Sequence, residues 1–500
     1  MASASRGRWV LAASILGSSL AFIDGTVVNV ALPAIQRDLH ASLREAQWVV
    51  ESYALLLAAL MLVGGALGDR LGRKKIFGLG VLVFAASSVA CALSRDPLQL
   101  IAARAVQGLG GALLVPGSLA LISANFSEEE RGRAFGTWAG FSGLTSALGP
   151  LLGGVLIDRL SWAWAFAINV PVAAAVLAIA WKHVPESRQP GDRKPLDLAG
   201  AVAATLGLGG CVFFFIEAPT RGWGAPLVLA ALAAGLAALV AFVFLERRQP
   251  APMLPLAMLR NRNFAASNLL TLLLYAGLGG GLFFLPLDLI QIQGFSATAA
   301  GASLLPFVAI MFLLSRWAGG VADRRGARLP LIAGPLLAAA GFALLAVPGT
   351  SARYVSGFLP GIAVLGLGMG IAVAPLTTAV MNSVSSDAAG TASGINNAVS
   401  RLAGVLAIAV FGALMATVFE AHLRSSMADL PGGLGEALWQ QRHRLAAIEL
   451  PAGTADARAA RGAVQSAFVA GYRWVMVVSA VLAAASAGVA ALWIDRERAQ

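Results

Sequence analysis

The sequence predicts an all-α polytopic membrane protein of fourteen spans, built as two six-helix bundles with a pair of helices inserted between them. Three observations lead there. First, apolar runs of about twenty residues, enough to cross a bilayer, recur along the 500-residue chain, which is 58% hydrophobic and 12% charged. Its mean hydropathy is +0.77. Second, the loop Gly65-Ala-Leu-Gly-Asp-Arg-Leu-Gly-Arg-Lys-Lys75 is echoed by Gly319-Gly-Val-Ala-Asp-Arg-Arg-Gly-Ala-Arg328, with glycine, aspartate, arginine, glycine and a final basic residue at the same offsets. A repeated loop between hydrophobic hairpins marks two related halves. Third, Lys and Arg crowd into alternate short loops, so the net charge of +11 reads as positive-inside topology rather than a nucleic-acid surface. No nucleic-acid partner is expected.

The spans fall near 9–33, 47–67, 76–93, 97–122, 133–157, 162–182, 197–217, 226–245, 263–290, 298–318, 329–347, 353–378, 398–418 and 470–494. The loop charges put both termini in the cytoplasm. The first run, behind Arg6 and Arg8, is too long for a signal-peptide core and stays as a span. Asp323 follows Asp69 by 254 residues, too far for one six-span half. Removing 197–262 restores a six-span spacing. The expected division is therefore 1–196 for the first bundle, 197–262 for two inserted spans and their linker, and 263–500 for the second bundle, with an external loop at 419–469. A short surface helix is expected within 436–450. Cys91 and Cys211 both lie in apolar runs and the four histidines are scattered, which excludes a disulfide framework and a metal centre.

Charges inside spans are the sharpest functional signal, because an aspartate at mid-bilayer costs about 2.5–3.5 kcal/mol. Asp24 lies roughly 22 Å from the inner end of span one, Arg104 about 10 Å below the outer end of span four, and Glu51 about 6 Å below that of span two. All three are placed in the outer half of the first bundle, where a carboxylate can meet the guanidinium and trade protonation against cargo. Asp288 and Glu217 are read as interfacial carboxylates near outer span ends, with Asp288 kept as a cavity candidate.

In the repeated loop, Gly65, Asp69, Arg70, Gly72, Arg73, Asp323 and Arg324 suit a moving cytoplasmic gate. Span five presents Gly136, Gly140, Gly143, Ala147, Pro150 and Gly154 as one smooth face for close helix approach, with Pro150 removing a backbone donor. Cavity-lining candidates are Asn29, Tyr53, Gln107, Phe283, Phe284, Asp288, Asn396 and Asn397. No phosphate-binding loop or nucleophile elbow is present, so neither ATP hydrolysis nor other enzymatic chemistry is expected.

These residues also carry a family resemblance. Gly65–Lys75 resembles the loop between spans two and three of the major facilitator superfamily, and Leu100-Ile-Ala-Ala-Arg-Ala-Val-Gln-Gly108 resembles its span-four arginine motif. Gly149-Pro-Leu-Leu-Gly-Gly154 (with Gly149, Pro150, Gly153 and Gly154) resembles the span-five motif of its proton antiporters. Ile23-Asp-Gly-Thr-Val-Val-Asn-Val-Ala-Leu-Pro33 is similar to the span-one signature of the fourteen-span drug:proton antiporters of the EmrB/QacA type. Trp162–Pro171 and Gly390–Asn397 resemble further stretches of that subfamily. Ala163, Asp288 and Ala327 depart from it.

The resemblance implies the major facilitator fold, alternating access, Asp24 as proton-coupling carboxylate with Arg104 as its partner, and the repeated loop as cytoplasmic gate. The function it implies is proton-coupled efflux of amphipathic drugs or toxic small molecules from a bacterium, through its inner membrane, with the proton gradient as driving force and no cofactor. Partners are then the small-molecule substrate, protons and the bilayer. A periplasmic adaptor and an outer-membrane channel are allowed by analogy but announced by no segment, and a monomer is expected. The alternative on the same fold is a dedicated exporter of a sugar, amino acid or secondary metabolite. From another class, a non-transporting membrane sensor would tolerate changes at Asp24 and Arg104.

Overall fold

The computed structural model describes residues 2–188, 197–249, 252, 254–384, 389–427, 430, 434–450 and 456–495. Fourteen of its helical segments are long and apolar enough to cross a membrane, matching the sequence expectation span for span. α1 (Ala2–Asp38) is followed by α2 (Leu43–Leu71), which opens on a capping box between Ser42 and Glu45. One residue, Gly72 at φ 121°, separates α2 from α3 (Arg73–Ala92). That backbone is open to glycine and strained for other residues. The start of α3 takes its cap from far along the chain: the Glu186 carboxylate accepts from the backbone N–H of Lys74 at 3.0 Å and Lys75 at 3.1 Å.

α4 (Pro97–Asn125) begins with an Asp96 cap and proline in its first turn. α5 (Glu128–Arg159) holds Pro150 in its interior. Span six is broken into α6 (Trp164–Ala167) and α7 (Asn169–His183). The inserted pair, α8 (Leu198–Arg221) and α9 (Pro226–Arg248), is a tight hairpin in which Gly207 and Gly210 meet the backbone around Gly235.

In the second half, α10 (Arg262–Leu287) ends in a π turn, Asp288–Ile292. Short α11 (Ala297–Ala302) and α12 (Leu305–Arg325) make span ten, and α13 (Arg328–Leu345) follows Gly326, at φ 83° the counterpart of Gly72. A second π turn, Tyr354–Phe358, leads into α14 (Leu359–Asn382). α15 (Ala389–Met427), α16 (Leu434–Gln440) and α17 (Ala457–Trp493) complete the chain.

The expected loop at 419–469 is shorter than the sequence suggested, because α15 runs on to Met427 and α17 starts at Ala457. Side chains beyond the apolar run support the extension. Glu420 pairs with Arg442 at 3.5 Å, and the Arg424 and Arg442 guanidiniums lie 5.4 and 4.7 Å from the Trp439 ring of α16. The expected surface helix at 436–450 is α16 followed by a 3₁₀ turn, Arg442–Ala447.

The two halves meet at the end opposite Gly72 and Gly326. There the Gln291 amide donates to Gln36 at 3.0 Å and that of Gln47 on α2 donates to the Ile408 carbonyl of α15 at 2.8 Å. Backbone packs on backbone where Gly154 of α5 faces Ala297 and Gly301 of α11 faces Pro150. Nearer the start of α5 a side chain built at Gly136, Gly140 or Gly143 would meet nothing within 4 Å. The smooth face read from the sequence is thus used in part. Gly149 and Gly153 pack on Thr26 and Val27 of α1 and Gly154 on α11, while the preceding three glycines border open space. α8 lies along the seam between α2 and α15, where Leu55, Val212, Ile216, Val405 and Ala409 form one buried cluster.

Candidate functional site

Asp24 and Arg104 do meet. Their side chains are 0% and 1% exposed and form a direct ion pair between α1 and α4. Gly108 lets α4 pack tightly on α2, since a side chain there would lie 2.6 Å from the Tyr53 carbonyl oxygen. Around the pair stands a fully buried polar network. Gln107 donates to Asp24 Oδ1 at 2.8 Å and to Ser88 Oγ at 2.9 Å, and Asn169 donates to the same two atoms at 3.2 and 3.3 Å.

Arg104 in turn donates to Gln107 Oε1 at 2.7 Å and to the Val49 carbonyl at 3.0 Å. Its guanidinium lies 4.1 Å over the Tyr53 ring and 5.6 Å from that of Phe166. Both Asp24 oxygens are therefore satisfied as acceptors. Coulombic attraction and these donors offset the desolvation of two buried charges, so a proton reaching Asp24 would cancel the attraction and free Arg104.

Glu51 is not part of this group, which corrects the sequence expectation. It is fully buried, and neither carboxylate oxygen has a hydrogen-bond partner. Val49 and Tyr53 face Arg104, and a residue midway between them on a helix points the other way. Gln107 belongs to the buried network rather than to a cavity wall. Phe283 and Phe284 are 0% exposed and packed edge to face at 4.9 Å in the core. Asp288 opens the π turn near the end of its span and is 1% exposed, with Oδ1 unpartnered. Glu217 is held at 3.1 Å by Arg44 and 2.5 Å by Arg221, and accepts from the Trp48 indole.

Of the other candidates, Asn29 has a buried, unpartnered side-chain oxygen and Tyr53 donates to the Ala21 carbonyl at 3.1 Å. Asn396 donates across to Thr271 at 2.7 Å, and with Asn397 it borders a cavity of about 190 Å³ between α10, α14 and α15. In the first gate loop, Asp69 pairs with Arg73 at 2.7 Å across the Gly72 turn, and Arg73 reaches the Ala120 carbonyl of α4 at 3.4 Å. Gly65 packs on Pro116, Arg70 is half-buried and Arg324 is exposed. The side chain of Asp323 lies outside the described residues.

Sequence reasoning missed Ser88, Asn169, Asp158 and Arg401. Only Arg401, a cation inside an apolar run, carried a signal by itself. Asp158, at the end of α5, accepts from the backbone N–H of Ala297 at 3.0 Å and Thr298 at 2.8 Å, so the first half caps α11 of the second. Asp158→Ala is expected to weaken this contact by about 0.5–2 kcal/mol. Faster maleimide labelling of a cysteine placed at Ile157 would report it, and an unchanged rate would show that the cap does not hold the halves together.

The family model of the Major Facilitator Superfamily matches residues 14–408. The chain belongs to the major facilitator superfamily. It is similar to the tetracenomycin C resistance and export protein of Streptomyces glaucescens, at 33% identity over 499 residues, covering 98% of this chain and 92% of that one. It is also similar to the puromycin resistance protein pur8 of Streptomyces alboniger (36% identity, 83% of each chain) and to a probable actinorhodin transporter of Streptomyces coelicolor (36% identity, 84% of this chain and 75% of that one).

Among solved structures, a bacterial homolog of the human lysosomal transporter Spinster in an inward-facing, occupied conformation matches with a TM-score of 0.67 at 18% identity, covering 97% of this chain and 96% of that one. At that identity the likeness speaks for the fold alone. This major facilitator is thus a multi-pass membrane transporter whose relatives are antibiotic-resistance and export proteins.

Proposed function

We propose that the protein exports amphipathic small molecules across the bacterial cytoplasmic membrane in exchange for protons, by alternating access. The observation that carries this reading is the buried Asp24–Arg104 pair in the first half of the molecule. A carboxylate whose only strong partner is one guanidinium can hold either a proton or that partner. Moving one charge through 100 mV supplies about 2.3 kcal/mol to bias such a choice. In this reading the loop charges orient the Gly72 end to the cytoplasm, with Asp69, Arg73 and Gly72 at the cytoplasmic gate and the α5–α11 contact on the outer side. The drug:proton antiporters of the EmrB/QacA type are the subfamily this mechanism fits. No cofactor is needed, and the proton gradient drives the cycle.

Inside-out vesicles given a panel of cationic, neutral and acidic amphipathic dyes should accumulate at least one of them, with accumulation lost on adding an uncoupler. Asp24→Asn should insert normally and show no uncoupler-sensitive uptake. Wild-type rates against a gradient in that variant would remove Asp24 from the coupling. The names of several relatives specify one compound each, tetracenomycin C and actinorhodin among them, which favours a narrow cargo range as the second reading. Uptake confined to one chemical class within the panel would support it.

A further inference from the structure

Arg401 projects from α15 toward the first half, with its guanidinium 5.9 Å from the Phe22 ring of α1. Phe22 meets Trp138 of α5 edge to face at 6.2 Å, so side chains of both halves converge around this cation. It lies within electrostatic reach of Tyr53, the ring that separates it from the Asp24–Arg104 pair. Among the described residues no carboxylate lies within ion-pair distance of Arg401. Asp24 is committed to Arg104, and Glu51 has no hydrogen-bond partner at all. A cation inside a span costs about 2.5–3.5 kcal/mol, and no carboxylate among the described residues offsets that cost.

The same face of α15 continues one turn away with Asn397, which with Ser400, Thr377 and Tyr275 borders the cavity of about 190 Å³. Hydroxyl and amide groups there can bond the carbonyl and hydroxyl substituents of a cargo, while Phe22 and Trp138 offer faces for a flat apolar body. We propose that Arg401, one helical turn from that cavity and facing Phe22 of the other half, is the anion-recognising group on the cargo path, and that the cargo class is amphipathic acids, an aromatic body bearing a carboxylate or an ionised phenol. The guanidinium supplies the charge-assisted hydrogen bonds such a group needs, and it repels flat cations of the same size. The proposal rests on the export reading above and narrows it to one chemical class.

The test is equilibrium binding to the purified full-length protein in nanodiscs, with empty nanodiscs as reference. Fluorescein serves as the aromatic anion and ethidium as the aromatic cation. Wild type is expected to bind fluorescein more tightly than ethidium. Arg401→Gln should weaken fluorescein binding by about tenfold or more, as loss of one charged partner does, and leave ethidium binding within about twofold. Arg401→Lys, which keeps the charge without the planar fork, should fall between wild type and the glutamine variant. It also guards against misfolding of that variant.

A wild type that prefers ethidium, equal losses of both dyes in Arg401→Gln, or binding of neither dye by the folded wild type would overturn the assignment. Binding is read without any gradient. A protein that holds fluorescein through Arg401 but shows no uncoupler-sensitive uptake would refute proton-coupled export and leave the anion site standing.

Discussion

Arg104→Ala is expected to destabilise the protein by about 3–5 kcal/mol, because it leaves Asp24 as a buried carboxylate without its counter-charge. Asp24 is 0% exposed and its remaining donors are the amides of Gln107 and Asn169, so no second positive charge replaces the one removed. Removing both charges together, as Asp24→Asn with Arg104→Gln, should recover most of that loss, since a buried pair contributes little net stability over neutral groups of similar size. Recovery will be incomplete, because Arg104 also donates to the Val49 carbonyl and stacks on Tyr53. The thermal midpoint in detergent separates the three proteins. Vesicle uptake then divides stability from function, since the double variant should be folded and inactive. A double variant as unstable as Arg104→Ala would show that the ion pair is not the source of the loss.

Gly154→Val should open the end of the molecule where the halves meet. A side chain at 154 lands 2.6 Å from the Ala297 carbonyl carbon and the Thr298 Cα, all backbone atoms that no rotamer change can move aside. The only relief is separation of α5 from α11. Overpacking of this kind costs about 1–3 kcal/mol, which shifts a two-state population by roughly 5- to 150-fold. Spin labels near the facing ends of α5 and α11 should report longer distances, and uptake should fall as the loading conformation is depleted. An unchanged distance distribution in a folded variant would show that the contact takes up the new side chain without parting α5 from α11.

Much of this architecture was legible in the sequence, because lipid imposes simple rules on length, charge and hydropathy. The fourteen spans, the repeated loop with Gly72 and Gly326, and the meeting of Asp24 with Arg104 all follow from where charges and glycines interrupt apolar runs. Depth along a helix was readable and azimuth was not. That is why Glu51 was grouped with Arg104, although Tyr53 and Val49 hold the face that points there. Phe283 and Phe284 fell into the core because an all-apolar helix carries no sign of which side meets its own bundle. Ser88 and Asn169 complete the Asp24 network as small polar groups of a kind common in spans. The burial of Asp288 was not readable either, because it lies in a π turn, and π turns leave no reliable mark in one sequence.

The inserted hairpin has a consequence for how cargo reaches the cavity. α8 is tied to α2 through Glu217, Arg44 and Trp48 and is packed against Val405 and Ala409 of α15, so it plugs one of the two flanks where the halves face the lipid. A twelve-helix barrel without that pair would leave this seam open to lipid, so the hairpin removes the α2–α15 side as a route for cargo.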